Sequence, residues 1–245
     1  MKKAGWVAVL ILLVVAWQAY VSLRGIPGYL LPSPADVLRT FWNDRSTLVS
    51  ESWVTGKEMI VGYIAAIELG LVFATAMHFS ETLRRAVSPL LVASQSIPVV
   101  AVAPVVVIYL GFGLLPKIVL IALVCFFPIA VNALDGFRSV DPEYGRMMRT
   151  LYAGRRTIFW RVEAPWALPA IFSGCRIAAP YAAIGALFAE YAGGSGGLAD
   201  SIRGAQLDTA LVAAGALALT LLALALTGIV VLLERVFVPW AHEAR

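Results

Sequence analysis

The stretch 141–169 reads DPEYGRMMRTLYAGRRTIFWRVEAPWALP, and its residue types and spacing point to chemistry at a surface. On a helix, Met147, Met148, Leu151 and Tyr152 share one face, at i, i+1, i+4 and i+5. Arg146, Arg149 and Arg156 fall elsewhere, and Ala153 and Gly154 close the segment. A bare loop has no need to expose methionines. The pattern therefore predicts a short amphipathic helix with an apolar knob and a basic flank. Two readings fit: a peg that docks in a groove of a partner, or a helix lying on the inner lipid surface with its arginines on anionic headgroups.

A second group consists of polar residues inside apolar runs. Glu68, Arg176 and Glu190 are ionisable, and Gln95 and Asn132 are polar amides, with Ser94 and Ser96 beside Gln95. Charge inside a membrane span is costly and marks function by default. These residues could line a path or gate. They could equally make interhelical hydrogen bonds or snorkel to the interface. The sequence leaves a Glu68–Arg176 ion pair open. A third group, Gly193-Gly194-Ser195-Gly196-Gly197, matches the G-x-S-x-G pattern of serine nucleophiles. Such a serine needs a base within hydrogen-bond reach. His78 and His242 are the two histidines, and both are expected on the opposite side of the membrane, which favours a flexible linker over a protease. Two histidines alone do not build a typical zinc site, and Cys125 and Cys175 read as small apolar residues within helices.

The elements that must position these groups follow from composition. Sixty per cent of the 245 residues are hydrophobic and 14% are charged, with mean hydropathy +0.84. Soluble domains carry about a quarter charged residues. This chain needs lipid around it. Runs of about twenty apolar residues can each cross a hydrocarbon core of about 30 Å. They predict an all-α membrane protein of about six spans, near 6–23, 53–77, 87–109, 117–134, 168–191 and 209–233, in one domain over 1–245. The first run follows Lys2 and Lys3 but is long and lacks a clear small-x-small cleavage site, so it reads as a retained span. Ser33-Pro34 is a helix-start signal for a short surface helix to Trp42. The turn 110–116 is glycine-rich, 193–208 reads as a flexible polar loop, and 135–165 is the longest basic segment. Pro98, Pro104 and Pro128 would kink their spans.

Placing the N-terminus inside puts twelve basic residues on the inner side and six on the outer, a positive-inside bias. Both termini and the 135–165 loop are then cytoplasmic. Topology accounts for the arginines, so nucleic-acid binding has no support. Gly56-Lys57 is followed by Glu58 without the upstream glycine of a phosphate loop, so ATP would have to be hydrolysed by another chain.

The basic segment resembles the EAA loop of ABC-importer permeases. The family pattern is Glu-Ala-Ala, three residues, Gly, nine residues, Ile-x-Leu-Pro. Arg146, Met147 and Met148 occupy the first three positions, Tyr152 the glycine, and Val162, Glu163, Ala164 and Pro165 the end. Only Pro165 is identical and Val162 conservative, so the spacing matches while the docking residues depart. Leu31-Pro32-Ser33-Pro34, Ile97-Pro98, Pro104, Gly111-Phe112-Gly113, Phe127-Pro128, Asn132, Ser173-Gly174, Arg176, Gly196-Gly197-Leu198 and Glu234-Arg235 resemble nitrate/sulfonate/taurine-type permeases, almost end to end. The tail is most similar to permeases for the pyrimidine precursor of thiamine. The resemblance implies a type I importer permease fold. It also implies a second permease copy as a homodimer, two ATPase subunits that bind ATP and magnesium, and an extracytoplasmic solute-binding protein. This chain itself would bind no cofactor and catalyse no reaction. Residues 146–149 and 151–154 would couple to the ATPase. A stand-alone proton-coupled carrier built on Glu68 or Glu190 is the alternative.

Overall fold

The computed structural model describes residues 2–193, 196–205 and 208–240. Eleven helices and one π-helical turn make up the described residues, with no strand among them. They are α1 (Lys2–Arg24), α2 (Pro34–Asn43), α3 (Arg45–Phe79), α4 (Glu81–Ser94), α5 (Val99–Leu110), α6 (Leu114–Arg138), α7 (Pro142–Thr150), α8 (Arg155–Ile158), a π turn (Phe159–Glu163), α9 (Ala164–Gly193), α10 (Leu198–Gly204) and α11 (Thr209–Phe237).

Five helical segments are long and apolar enough to cross a membrane: α1, α3, α6, α8 through α9, and α11. The third predicted span, at 87–109, is not one helix. It breaks at 95–98 into α4 and the shorter apolar α5. Pro98 is the cause: it has no N–H for an intrahelical bond, its φ is −69° and ψ 114°, and it serves as the N-cap of α5. The 193–208 loop also differs from expectation, because α10 forms within it and buries Leu198, Ala199 and Ile202. The Ser33-Pro34 signal starts α2 through a capping box with Asp36. Their hydrogen bonds hold the Asp36 carboxyl below its usual range.

The core is α3, α6 and α9, packed through small residues. Gly62 and Gly70 lie eight apart on α3 and face Ile121 and Ile129, eight apart on α6. A Cβ at Gly62 would fall 2.6 Å from the Ile121 Cβ, and one at Gly174 would fall 2.7 Å from the Pro128 carbonyl. On α9, Cys175, Ala178, Ala179, Ala182, Ala183 and Ala186 complete the same buried cluster. Lipid is as apolar as leucine, so close backbone approach and dispersion must hold such helices together. Cys125 and Cys175 are buried and unbridged, as their apolar surroundings suggested. In contrast, α1 exposes Leu10, Ile11, Leu12 and Leu13 and touches the rest mainly near α2, where the Gln18 side chain accepts from the Ala35 N–H at 3.1 Å.

Candidate functional site

Polar chemistry gathers at the two ends of this bundle. At the end carrying α10, the first N–H groups of that helix have no intrahelical acceptors. Side chains of α3 and α9 supply them. The Gly197 N–H donates to Glu51 Oε2 at 2.6 Å, Leu198 to Thr55 Oγ1 at 2.9 Å, and Ala199 to Glu190 Oε2 at 2.7 Å. Thr55 donates its own proton to Glu190 Oε1 at 2.6 Å. Glu51, Thr55 and Glu58 stand at i, i+4 and i+7 and so share one face of α3. Lys117 of α6 closes the cluster, reaching Glu58 Oε1 at 2.7 Å and the Gly196 carbonyl at 3.4 Å. Lys117 is 2% exposed and Glu190 fully buried. Gly197 has φ +105°, and an added Cβ would collide with the Glu190 carboxylate, so only glycine fits. This cluster clamps α10 onto the bundle.

The opposite end is built around α7. Asp141 caps it by accepting from the Glu143 N–H at 2.8 Å, with Pro142 at its first position. Pro142, Gly145, Arg146 and Arg149 form one face, turned to a cavity of about 330 Å³ between α7 and the bundle. Met147 and Leu151 are exposed, and Met148 is half-buried. Past the helix, Leu151 is 69% and Tyr152 99% exposed. Tyr152 is the one non-glycine residue with positive φ among those described, at +58°. A bulky residue there is an outlier, and such outliers cluster at functional positions. Ala153 and Gly154 follow, and the chain re-enters the bundle at Ile158.

The π turn shapes that re-entry. It adds one residue to the helical turn and buries both Phe159 and Glu163. Glu163 then meets His78 Nε2 at 2.7 Å and Arg155 Nη1 at 3.0 Å. Arg155 Nη2 also lies 3.0 Å from His78 Nε2. One ring nitrogen cannot donate to a carboxylate and accept from a guanidinium at once. The shorter contact assigns the proton to Nε2, donated to Glu163, with Arg155 paired to the other carboxylate oxygen. Phe79, Phe137 and Phe159 pack around the His78 ring.

The five path candidates are not brought together. Glu68 is exposed on α3 and has no ion pair among the described residues. Arg176 instead pairs with Glu234 of α11 at 2.9 Å, a charge contact and not an aligned hydrogen bond. Gln95 is exposed at the α4–α5 break. The Asn132 side chain donates to the Pro128 carbonyl at 2.7 Å within α6. Glu190 belongs to the α10 clamp. Gly194, Ser195 and His242 lie outside the described residues. Glu163, the partner of His78, directly precedes α9, so about 30 residues and ~45 Å of helix separate that histidine from Gly193. No group of three or more metal-ligating side chains occurs among the described residues.

Sequence reasoning missed Glu51, Thr55, Glu58, Lys117, His78–Glu163 and Glu234. The i, i+4, i+7 spacing of the first three was the available signal. A separate apolar cavity of about 620 Å³ lies between α5, α9, α10 and α11, with Phe188, Tyr191 and Thr220 in its wall.

Comparison with known proteins places this architecture. Residues 66–241 match the family described as binding-protein-dependent transport system inner membrane component. A formylaminopyrimidine transport permease protein, ThiX, of Halalkalibacterium halodurans is 36% identical over 95% of this chain and 94% of its own. A riboflavin transport system permease protein, RibX, of Chloroflexus aurantiacus is 37% identical over 94% of this chain and 88% of its own. The taurine transport system permease protein TauC of Escherichia coli is 29% identical over 98% and 90%. A stand-alone carrier is not favoured by these relatives. With its spanning helices and these matches, the chain belongs to the family of binding-protein-dependent transport system inner membrane components: it is a multi-pass permease subunit of an ABC importer and not a catalytic enzyme.

Proposed function

We propose that α7 and the 151–154 tip dock into a cytoplasmic ATPase subunit and pass its movement to the spans. The observation that carries this reading is the tip itself. Leu151 is largely exposed and Tyr152 almost wholly so, with Tyr152 in a left-handed backbone conformation. An apolar pair held out at an energetic cost is accounted for by a partner that buries it. The alternative, a lipid-lying helix, would spread its apolar residues along one face and would not concentrate them at a turn.

The working assembly would contain two copies of this permease, two ATPases holding ATP and magnesium, and an extracytoplasmic binding protein. ATP-driven closure of the ATPases would draw the two α7 tips together and switch the side to which the path opens. The positive-inside count supports cytoplasmic termini and a cytoplasmic α7. The α10 clamp would then face the binding protein. The exposed apolar surface of α1 would meet lipid or the second copy.

The cargo is a small polar solute, and the formylaminopyrimidine and riboflavin classes have more support than taurine. The relatives named for formylaminopyrimidine and riboflavin transport are 36% and 37% identical, against 29% for the taurine permease.

The test is co-purification in detergent with the cognate ATPase, comparing wild type with Met148→Asp and Leu151→Asp. Wild type is expected to retain the ATPase and both variants to lose it while still inserting in the membrane. Retention by the variants, with normal solute-dependent ATP hydrolysis, contradicts the docking assignment.

A further inference from the structure

The cavity behind α7 has a chemistry that docking does not use. Its wall carries four guanidinium groups, from Arg138, Arg146, Arg149 and Arg155, against two carboxylates, from Asp141 and Glu163. With His78 neutral, the lining bears a net formal charge of +2. Arg155 is already paired with Glu163, and Arg146 makes a long contact of 3.4 Å with Glu143 on the outer surface of α7. Arg138 and Arg149 have no carboxylate within ion-pair distance among the described residues.

The cavity is half-open and its four arginines are exposed, so water screens their mutual repulsion without removing it. Arg138 ends α6, and Arg146 and Arg149 come from the inner face of α7, so the repulsion acts between two elements that must stay together. An anion between them removes the repulsion. Guanidinium groups present planar forks of donors, and forks carried on different elements suit a tetrahedral anion, whose acceptor oxygens do not lie in one plane, better than a planar carboxylate. The volume of about 330 Å³ lies within the range of about 300–1,000 Å³ common for small-molecule sites.

We propose that this cavity binds a phosphate group, bridging the end of α6 to the inner face of α7. The phosphate comes from a lipid headgroup or from free inorganic phosphate. Trp160 and Trp166 are exposed on the same end of the bundle, at 70% and 52%, where indole rings anchor helices at a lipid interface. Occupancy fixes the seat of α7 against the bundle. Ligand binding and α7 position are therefore linked, each biasing the other. The inference does not depend on the ATPase docking reading, because it concerns the opposite face of the helix.

Two probes on the purified full chain test it. Equilibrium dialysis with radiolabelled inorganic phosphate reads the free anion. Native mass spectrometry after mild delipidation reads retained phosphatidylglycerol, with phosphatidylcholine as the zwitterionic control. Arg138→Gln and Arg149→Gln each remove an unpaired, exposed arginine, so neither breaks an internal ion pair. Arg156→Gln is the control, since Arg156 is exposed beside Arg155 but absent from the cavity wall. The expected result is one bound phosphate or one retained phosphatidylglycerol per chain, weakened about tenfold in Arg138→Gln and Arg149→Gln and unchanged in Arg156→Gln. Whichever probe shows that pattern identifies the source. Binding of neither probe by wild type overturns the site, as does equal loss in all three variants.

Discussion

The two ends of the bundle hold their polar residues in opposite ways. At the α10 end, the buried charges and the first donors of α10 are drawn into one network: three successive backbone N–H groups, a hydroxyl, two further carboxylates and an ammonium meet around Glu190. At the α7 end, four arginines face a cavity that holds only two carboxylates, and the tip leaves an aromatic ring in open solvent on a strained backbone. Apart from Glu58 Oε2, which has no hydrogen-bond partner, the network at the α10 end is satisfied, and such a network fixes one arrangement. An exposed, solvated one leaves its groups available to a partner. The difference separates a region that maintains the fold from one built to be met by partners.

Breaking the satisfied end should cost most. Lys117→Met leaves Glu58 buried without its cation, and we expect a loss of about 3–5 kcal/mol in thermal or denaturant unfolding in detergent. Adding Glu58→Met should restore most of that loss, because the charge that needed the cation is then gone. Gly197→Ala places a methyl group at φ +105° and against the Glu190 carboxylate, and should cost about 2–3 kcal/mol. Hydrogen exchange at the amides of 197–199 should rise with it.

The same kind of change at the α7 end should leave the fold intact. Tyr152→Gly relaxes the left-handed backbone but adds unfolded-state freedom, and these effects nearly offset, so stability should change by less than ~1 kcal/mol. Capture of the ATPase should nevertheless fall about tenfold or more. A large stability loss without loss of capture would erase the contrast between the ends.

The smallest effect is expected at Glu81, exposed at the start of α4. Hydrogen bonds from Arg84, and then from Arg85, lower its carboxyl from 4.5 to about 2. A depressed folded value gives stability that is present above pH 4.5 and lost as pH falls toward 2. The stability difference between wild type and Glu81→Gln should therefore shrink across that window. Added salt should also reduce it, since the group is fully exposed.

Much of this plan was legible in the residues. Long apolar runs set the spanning helices and Ser33-Pro34 set the start of α2, while the Met147–Tyr152 pattern marked a short helix whose predicted apolar face is only half helical, since α7 ends at Thr150 and Leu151 and Tyr152 lie past it. The 95–98 break was harder, because hydrophobicity continues from Ile97 to Leu110 and prolines are common within membrane helices. The α10 helix, seven residues long, forms through acceptors supplied by α3 and α9, not by its own sequence. Arg176 found its carboxylate on α11, at Glu234, and Glu190 became a clamp because Thr55 and Ala199 meet it across large sequence separations or a tight turn. Pairings of this kind have no local signature. Tyr152 is a different case. It stands where the resembled pattern has glycine, and its φ of +58° shows a backbone that glycine would adopt without strain. The departure from the pattern was visible, but its conformational meaning was not.

The central claim is that the α7 tip, and not the α10 end, meets the ATPase. Chemical cross-linking in the assembled transporter tests it most directly. Tyr152→Cys and, at the other end, Ser201→Cys would each be treated with a short thiol-to-amine reagent, with buried Cys125 and Cys175 left in place. The account predicts a permease–ATPase adduct from Tyr152→Cys and none from Ser201→Cys. An adduct from Ser201→Cys, or none from Tyr152→Cys in a transporter that hydrolyses ATP normally, would contradict it.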